Sequence, residues 1–236
     1  MGTLFVVATP IGNLEDITIR ALNTLRDVDL IACEDTRHTR ILLNKYELKT
    51  PTISYHQHSK ITKINEIVEM LKSGKNIAIV TDAGTPGIND PGGILVENAI
   101  ENSINVIPIP GSSALTTLLS VSGIKSDRFL FLGFLPQKKG RQTLMRNLMK
   151  ISNMDLYDAI VLYESPYRIL RTLEDMQLFV GNRYAVVGRE LTKKFEEVIR
   201  GNISQVIQHF KNKNNEDSKE KSSLIRGEFV VCIKSK

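Results

Sequence analysis

Carboxylates and basic side chains cluster directly after three apolar segments that have the composition of buried strands. These residues are Glu34, Asp35, Arg37 and Arg40 after "LIAC", Glu164 and Arg168 in "YESPYR", and Arg189, Glu190, Lys193 and Lys194 in "GRELTKKFEE". A carboxylate at a strand end can act as a general base or accept a hydrogen bond from a substrate hydroxyl, and the cations can bind anionic groups. For the first cluster, helix capping by Asp35 or Thr36 explains the spacing equally well. The repetition at three strand ends favours a cleft for an anionic, hydroxyl-bearing ligand.

A glycine-rich loop, "TDAGTPGINDPGG" at residues 81–93, follows the apolar segment "NIAIV". Asp90 and Pro91 are typical of a helix start, with Asp90 as the N-cap. Capping does not account for Asp82 or for the glycines before Asp90. Because ligands of α/β proteins bind at the carboxyl ends of strands, we expect this loop to form part of a binding site.

Two further segments allow more than one interpretation. In "YHQHS", His56 and His58 are spaced to point to one side of a strand, which fits either a metal site or a polar strand end facing a pocket, and no third ligand is evident. The basic loop "PQKKGRQ", with Lys138 and Lys139, suits an RNA backbone or a solvated helix start. The net charge of +5 is compatible with an anionic partner such as RNA and with an ordinary basic protein.

Several familiar sites and classes are excluded. The sequence has no G-x-x-x-x-G-K-[ST], G-x-G-x-x-G or G-x-S-x-G motif, and "SGIK" at residues 122–125 lacks the partner motifs of an S-x-x-K enzyme. The chain has 236 residues, 42% of them hydrophobic, and no apolar run of membrane-spanning length, so we expect a soluble, cytoplasmic protein with a substantial core. Cys33 and Cys232 lie inside predicted strands, which indicates buried free thiols.

Apolar strands alternate with amphipathic helices in the first half of the chain, a pattern that predicts an α/β domain with a parallel, doubly wound sheet. The loops at Thr9, Asp82 and Pro110 should lie along one edge of this sheet. A second α/β unit begins near Ile124, so the predicted domains are residues 1–123 and 124–236. In the second domain close antiparallel pairing indicates a mixed sheet. The segment 211–223 is polar and of low complexity, and we expect it to be mobile.

Seven motifs occur together in order: "ATPIGNLEDITIRAL", "CEDTRHTRILL", "TDAGTPGINDPG", "PIPGSSA", "GFLP", "YESPYR" and "GRELTKKFEE". Over residues 4–233 the chain thereby resembles the tetrapyrrole-methylase superfamily, and within it the branch that uses S-adenosylmethionine to methylate the ribose 2′-oxygen of a cytidine in the decoding region of 16S rRNA. The resemblance implies two α/β domains with the cofactor in the cleft between them, usually in a homodimer.

The resemblance also implies roles for individual residues. The cofactor site would draw on Pro10, Asp82, Ala83, Gly84, Ile88, Ser113, Ala114, Tyr163 and Val187, with Glu228 or Phe229 closing it. Methyl transfer demands no metal, and most of the acceleration can come from positioning. A ribose hydroxyl needs a carboxylate or imidazole as base, and the candidates are Glu34, His56 and Glu164. Phosphates would be held by Arg37, Lys138, Lys139, Arg168 and Lys193.

One departure and two alternatives accompany the resemblance. Members of this branch commonly carry more chain after the last strand, so we expect any RNA-docking role of such an extension to be missing or supplied otherwise. The alternatives are a superfamily methyltransferase acting on a tetrapyrrole or a protein, and a ribosome-assembly factor that keeps the fold without turnover.

Overall fold

The computed structural model describes residues 1–55, 61–152, 154–216 and 226–235, with side chains except at 214–216. The chain forms two compact units, Met1–Ser113 and Ala114–Lys236. His56 and His58 lie outside the described residues.

The first unit is built on a parallel five-stranded sheet in the order β3-β2-β4-β1-β5. Its strands are β1 (Thr3–Val7), β2 (Leu30–Cys33), β3 (Thr52–Ser54), β4 (Ile77–Ile79) and β5 (Asn105–Ile109). Its helices are α1 (Ile19–Asp27), α2 (Thr36–Lys45), α3 (Ile61–Lys72) and α4 (Gly92–Glu101). The predicted parallel sheet is confirmed.

Helices cover both faces of this sheet because the inner strands are apolar on both sides. Ile77 and Ile79 of β4 face a core with α3 and α4, whereas Ala78 of the same strand faces a core with α1 and α2. Alternate residues of one strand therefore serve two separate cores, as expected from the period of two.

The second unit contains a mixed sheet in the order β6-β7-β10-β8-β9. The strands are β6 (Phe129–Phe134), β7 (Ala159–Glu164), β8 (Tyr184–Arg189), β9 (Glu197–Asn202) and β10 (Phe229–Lys234). The helices are α5 (Ala114–Ser122), α6 (Arg141–Ile151), α7 (Ile169–Val180) and α8 (Ile203–Glu216). Only β6 and β7 pair in parallel, and the other neighbours are antiparallel, which confirms the mixed sheet.

Helices α6, α7 and α8 pack on one face of the second sheet around Val187 and Val231. Helix α5 packs against β8 and β10, where Gly188 leaves room for Leu118: a Cβ at position 188 would lie 2.9 Å from the leucine side chain. Because of this packing α5 belongs to the second unit, and the units meet in sequence at residues 113 and 114 rather than at the predicted 123 and 124.

The polar segment 211–223 begins as ordered helix, since α8 extends to Glu216. Lys211 and Lys213 are fixed there by ion pairs with Glu174 and Glu197, each at 2.8 Å. The helix therefore continues six residues into the segment that was predicted to be mobile, and residues 217–223 lie outside the described ranges.

Both cysteines are buried free thiols, as predicted. Burial raises the pKa of Cys33 and raises that of Cys232 to about 12. In the part of the chain that the structure describes, no helix is both long enough and apolar enough to cross a membrane.

Candidate functional site

The carboxyl ends of β1, β2 and β4 meet at one edge of the first sheet, because β4 lies between β1 and β2. An antiparallel bridge joins the loops after β1 and β4: Thr9 N–H donates to the Gly84 carbonyl at 2.9 Å, and Gly84 N–H donates to the Thr9 carbonyl at 3.1 Å. The buried Thr9 hydroxyl also donates to the Thr81 carbonyl at 3.0 Å. The hydroxyl of Thr85 reaches the Ser112 carbonyl, beyond β5, at 3.2 Å. Loops that are distant in sequence are thus bound together, as predicted.

The loop 81–93 depends on its glycines. Gly84 and Gly87 have φ values of +85° and +87°, which side chains rarely adopt. The Asp90 carboxylate accepts hydrogen bonds from Gly87 N–H at 2.8 Å and Gly92 N–H at 2.7 Å. A Cβ at position 92 would lie 2.8 Å from that carboxylate oxygen. Asp90 thus accepts the first N–H of α4, but it is not the N-cap as predicted: the N-cap is Pro91, and the helix begins at Gly92, one residue later than predicted.

Two carboxylates from different loops lie at this edge. The Thr81 hydroxyl donates to Glu34 Oε1 at 2.9 Å, and the Asp35 main-chain N–H donates to Asp82 Oδ1 at 3.2 Å. Among the described residues, neither Glu34 Oε2 nor Asp82 Oδ2 has a hydrogen-bond partner. Each carboxylate thus has one fixed oxygen and one oxygen available to a ligand.

Burial raises the pKa of Glu34, and the negative charges of Asp82 and Asp90 act in the same direction, while the hydrogen bond from Thr81 opposes them. A carboxylate with a raised pKa is a stronger base once it is ionised. Glu34 therefore has both an available oxygen and the electrostatic environment of a functional carboxylate.

Asp35 serves as the N-cap of α2, which confirms the capping interpretation for this residue. Its carboxylate accepts from Arg37 N–H at 2.8 Å and from the Arg37 guanidinium at 2.7 Å. The paired guanidinium lowers the pKa of Asp35. The Arg37 side chain is 90% exposed, so its charge can face solvent although it is partly neutralised.

Glu164, at the end of β7, is fully enclosed. Its side chain has 0% exposure, and both oxygens are occupied: Ser165 N–H donates to Oε1 at 2.7 Å, the Thr172 hydroxyl donates to Oε2 at 2.6 Å, and Arg168 pairs with Oε1 at 2.7 Å. This environment is that of a buried structural ion pair, in which every lone pair must be satisfied.

The contacts around Glu164 extend to the basic loop after β6. Arg168 donates to the Leu135 carbonyl at 2.9 Å. The buried Arg141 donates to Thr172 at 2.9 Å and to the Pro136 carbonyl at 3.3 Å, and it pairs with Asp175 at 2.7 Å. We call Arg141, Glu164, Arg168 and Thr172 the buried polar network.

The buried polar network fixes the start of the loop that carries Lys138 and Lys139. Both lysines are exposed, and within the described ranges neither forms an ion pair. The loop ends at Gly140, whose φ of +84° allows the chain to turn into α6. Two lysines without an ion pair among the described residues therefore lie on a loop whose start is held by hydrogen bonds.

The third strand-end cluster is largely internally paired. Lys193 contacts Glu190 at 3.0 Å and Glu228 at 2.9 Å. Burial lowers the pKa of Lys193, but the hydrogen bonds to Glu228 and Glu190 outweigh it and leave the pKa raised. Arg189 pairs with Glu197 at 3.3 Å. Two carboxylates, those of Glu190 and Glu228, therefore offset the charge of Lys193.

The remaining residues assigned by resemblance are placed differently in each unit. In the first unit Ala83 and Ile88 are exposed on the loop 81–93, Pro10 is buried beside Thr9, and Ser113 is half-buried. Ala114, the first residue of α5 and of the second unit, is also half-buried. In the second unit Tyr163 packs edge-on against Phe131 at 5.0 Å. The side chains of Val187 and Phe229 are buried in the core with α6, α7 and α8, and both residues lie in strands that are paired on both sides.

Sequence reasoning missed Thr81, Thr172 and Arg141. Thr81 lies two residues after β4 and could have been found as the first polar residue at a predicted site edge. Arg141 is separated from Thr172 by 31 residues, and no local signal indicates that pairing. Where side chains are described, no three His, Cys, Asp or Glu residues form a group that could hold a metal ion.

The strand orders define an α/β fold of two five-stranded sheets, with a loop-built edge in the first unit. Uroporphyrin-III C-methyl transferase from Thermus thermophilus, solved in complex with S-adenyl homocysteine, superimposes with a TM-score of 0.64 at 13% identity, over 98% of this chain and 97% of that protein. The sequence model for Tetrapyrrole (Corrin/Porphyrin) Methylases matches residues 3–207. The chain belongs to this family.

More similar relatives share one name. Ribosomal RNA small subunit methyltransferase I of Thermotoga maritima is 49% identical over 213 residues, which cover 90% of this chain and 94% of the relative. The protein of the same name from Synechocystis sp. is 50% identical over 235 residues, covering 99% of this chain and 79% of the relative.

Proposed function

We propose that this chain is an S-adenosylmethionine-dependent methyltransferase that methylates the ribose 2′-oxygen of a cytidine in 16S rRNA. The observation that carries the proposal is the 49% and 50% identity, over 90% and 99% of the chain, with two proteins named Ribosomal RNA small subunit methyltransferase I. We also propose, as the resemblance implies, that the protein is a homodimer and acts in the cytoplasm. Light scattering at micromolar concentration tests the dimer.

The first unit has features that fit the cofactor. The loop 81–93 offers a carboxylate oxygen of Asp82 without a partner among the described residues. No main-chain hydrogen bond within the described ranges engages Ala83, which is exposed, whereas Thr9 holds the main-chain N–H and carbonyl of the buried Gly84. These residues of the first unit, with Pro10, Ile88 and Ser113, would hold a cationic, hydroxyl-bearing molecule together with Ala114, the first residue of α5. When bound, S-adenosylmethionine supplies an electrophilic methyl group on a sulfonium.

Tyr163, Val187 and Phe229 remain proposed cofactor contacts of the second unit. The two buried side chains limit that proposal to main-chain atoms at Val187 and Phe229. Tyr163 is half-buried at the end of β7, where its ring also packs against Phe134 at 5.7 Å.

Glu34 is the proposed general base. Of the three candidates, Glu164 has both oxygens occupied, and His56 lies outside the described residues. Glu34 keeps Oε2 available, and Thr81 fixes the orientation of the carboxylate through Oε1. Its role is to accept the ribose hydroxyl proton on Oε2 as the 2′-oxygen becomes nucleophilic.

The RNA backbone is proposed to contact Lys138 and Lys139, whose charges are not offset by ion pairs with described residues. Arg37 remains a proposed phosphate contact because it is exposed. Lys193 and Arg168 are proposed as weaker contacts, since their cationic groups are already held by carboxylates. For Arg168 the structure favours a positioning role through Leu135.

Two substitutions separate binding from chemistry. Asp82→Asn should raise the dissociation constant for S-adenosylmethionine, measured by calorimetry. Glu34→Gln should leave that constant near the wild-type value and lower kcat for methyl transfer about 10²- to 10⁴-fold, the usual contribution of a general base. Equal kcat in wild type and Glu34→Gln would refute the assignment of Glu34, and unchanged cofactor affinity in Asp82→Asn would refute that of the loop.

A further inference from the structure

A basic groove of about 650 Å³ lies in the second unit, at the end of the sheet where β8 begins and β10 ends. Its lining includes the cations Lys125, Arg200 and Lys234, together with Tyr184 and Val121. Among the residues that the structure describes, no carboxylate lines the groove. Three positive charges therefore face one space, an arrangement whose mutual repulsion an anion would relieve.

Arg200 is held in place without being neutralised. Its guanidinium donates to the Val121 carbonyl at 2.6 Å and to the Val198 carbonyl at 3.4 Å. Among the described residues no carboxylate pairs with it. Carbonyl oxygens fix the orientation of the group but leave its full charge available to a ligand.

The two lysines are also available. Lys234 is exposed at the end of β10 and has no ion pair within the described ranges. Lys125 lies 3.3 Å from Asp127, but the two side chains are 69% and 75% exposed. Such surface pairs are weak and readily exchanged for another anion.

The motif "SGIK" is explained by this groove. The buried Ser122 hydroxyl donates to the Leu119 carbonyl at 2.9 Å and accepts from Ile124 N–H at 3.0 Å. Gly123 has a φ of +69°. These features end α5 in a tight turn, so the serine is structural, and the turn sets Lys125 at the groove.

We infer that the groove is a second binding surface for the sugar–phosphate backbone of the RNA substrate, an inference that rests on the proposed function. Lys138 and Lys139 follow the carboxyl end of β6, which runs parallel to β7. Because β10 is antiparallel to both β7 and β8, the groove at the end of β10 and the start of β8 lies at the opposite end of the sheet. The six-residue strands separate these ends by roughly 17 Å. A polyanion extending along the unit can contact both. The partly exposed ring of Tyr184 adds a face on which a base can stack.

The test compares two triple variants. In the groove variant Lys125, Arg200 and Lys234 are changed to Gln. In the control variant Lys150, Arg171 and Lys211 are changed to Gln, which also removes two lysines and one arginine. These residues lie on α6, α7 and α8, which pack on the face of the sheet opposite to α5. The dissociation constants for free 16S rRNA and for small ribosomal subunits are measured between 50 and 200 mM salt, after thermal melting has shown that both variants fold.

Each phosphate contact contributes about 0.7 to 0.9 to the slope of log K against log salt. Loss of three contacts should lower the slope by about 2 to 3, so the affinity advantage of wild type over the groove variant should shrink about 20- to 40-fold across this salt range. The control variant should keep the wild-type slope. If Arg200→Gln alone impairs folding, the Lys125→Gln/Lys234→Gln pair should still lower the slope by about 1.4 to 1.8.

Equal slopes in the groove and control variants would overturn the inference. Loss of binding to subunits without loss of binding to free 16S rRNA would also overturn it, because the partner would then be a ribosomal protein. Failure of the wild-type protein to methylate RNA would count against the proposed function alone, since the slope comparison measures binding.

Discussion

Replacing Thr81 by Val removes a hydroxyl that donates to Glu34 Oε1 at 2.9 Å. Valine keeps the shape of threonine, and the Thr81 carbonyl that accepts from Thr9 is unaffected. The hydrogen bond favours the ionised carboxylate, so its loss raises the pKa of Glu34 further above its ordinary value of 4.5. Less of the base is then ionised on the acid side of the pH–rate profile.

The size of the effect follows from the hydrogen bond. A hydrogen bond to a charged group contributes about 1.5 to 3 kcal/mol, and we halve this because Glu34 is only half-buried and water can replace the donor. About 0.7 to 1.5 kcal/mol corresponds to a 3- to 10-fold loss of rate. The loss should be confined to pH values below the pKa of Glu34 and should vanish at higher pH.

The assay is the pH dependence of kcat/KM for transfer of labelled methyl groups to rRNA, because this parameter reports the ionisation of the free enzyme. Thr81→Ser keeps the hydroxyl and should follow the wild-type profile. An acid limb in Thr81→Val that coincides with wild type would refute the role of Thr81, and a uniform loss at every pH would indicate a structural effect instead.

Three further predictions concern stability and reactivity. Glu164→Ala leaves the Arg168 guanidinium without its partner and should lower the free energy of unfolding by about 3 kcal/mol in urea titration, whereas an unchanged midpoint would contradict a structural role. Burial raises the folded-state pKa of Glu34, so wild-type stability falls as pH rises from the unfolded pKa through the folded pKa; Glu34→Gln lacks this decline, and urea titrations at pH 4 and pH 7 should show its relative stability increasing with pH. Cys33 and Cys232, with raised pKa values, should react with an aromatic disulfide reagent only after unfolding, and reaction in native buffer would contradict their burial.

The fold was predictable because its signals are local. Strand and helix periodicity indicated the parallel sheet of the first unit, and the position of Asp35 before Thr36 indicated the cap of α2. The boundary between units was predicted less well. Helix α5 has the same apolar character as a helix of the first unit. Its packing against β8 and β10, as at Leu118 and Gly188, which are 70 residues apart, assigns it to the second.

The residues of the candidate site also differ in how well local sequence signals predicted them. Glu34 and Asp82 follow strands, and parallel strands bring such positions to one edge whatever the details of packing. Glu164 follows a strand in the same way, but its burial depends on Thr172 and Arg168 from the next helix. Spacing alone does not distinguish a carboxylate that faces a ligand from one that holds two elements together.

The most direct test of the proposed function is to locate the methyl group. Small ribosomal subunits lacking the modification are incubated with labelled S-adenosylmethionine and the wild-type protein, with Glu34→Gln, free 16S rRNA and a tetrapyrrole precursor run alongside, and the RNA is digested to nucleosides for mass spectrometry. We predict labelled 2′-O-methylcytidine from the 16S rRNA with wild type and a strong loss with Glu34→Gln. Label only in the tetrapyrrole, or cofactor binding without any transfer, would contradict the proposal.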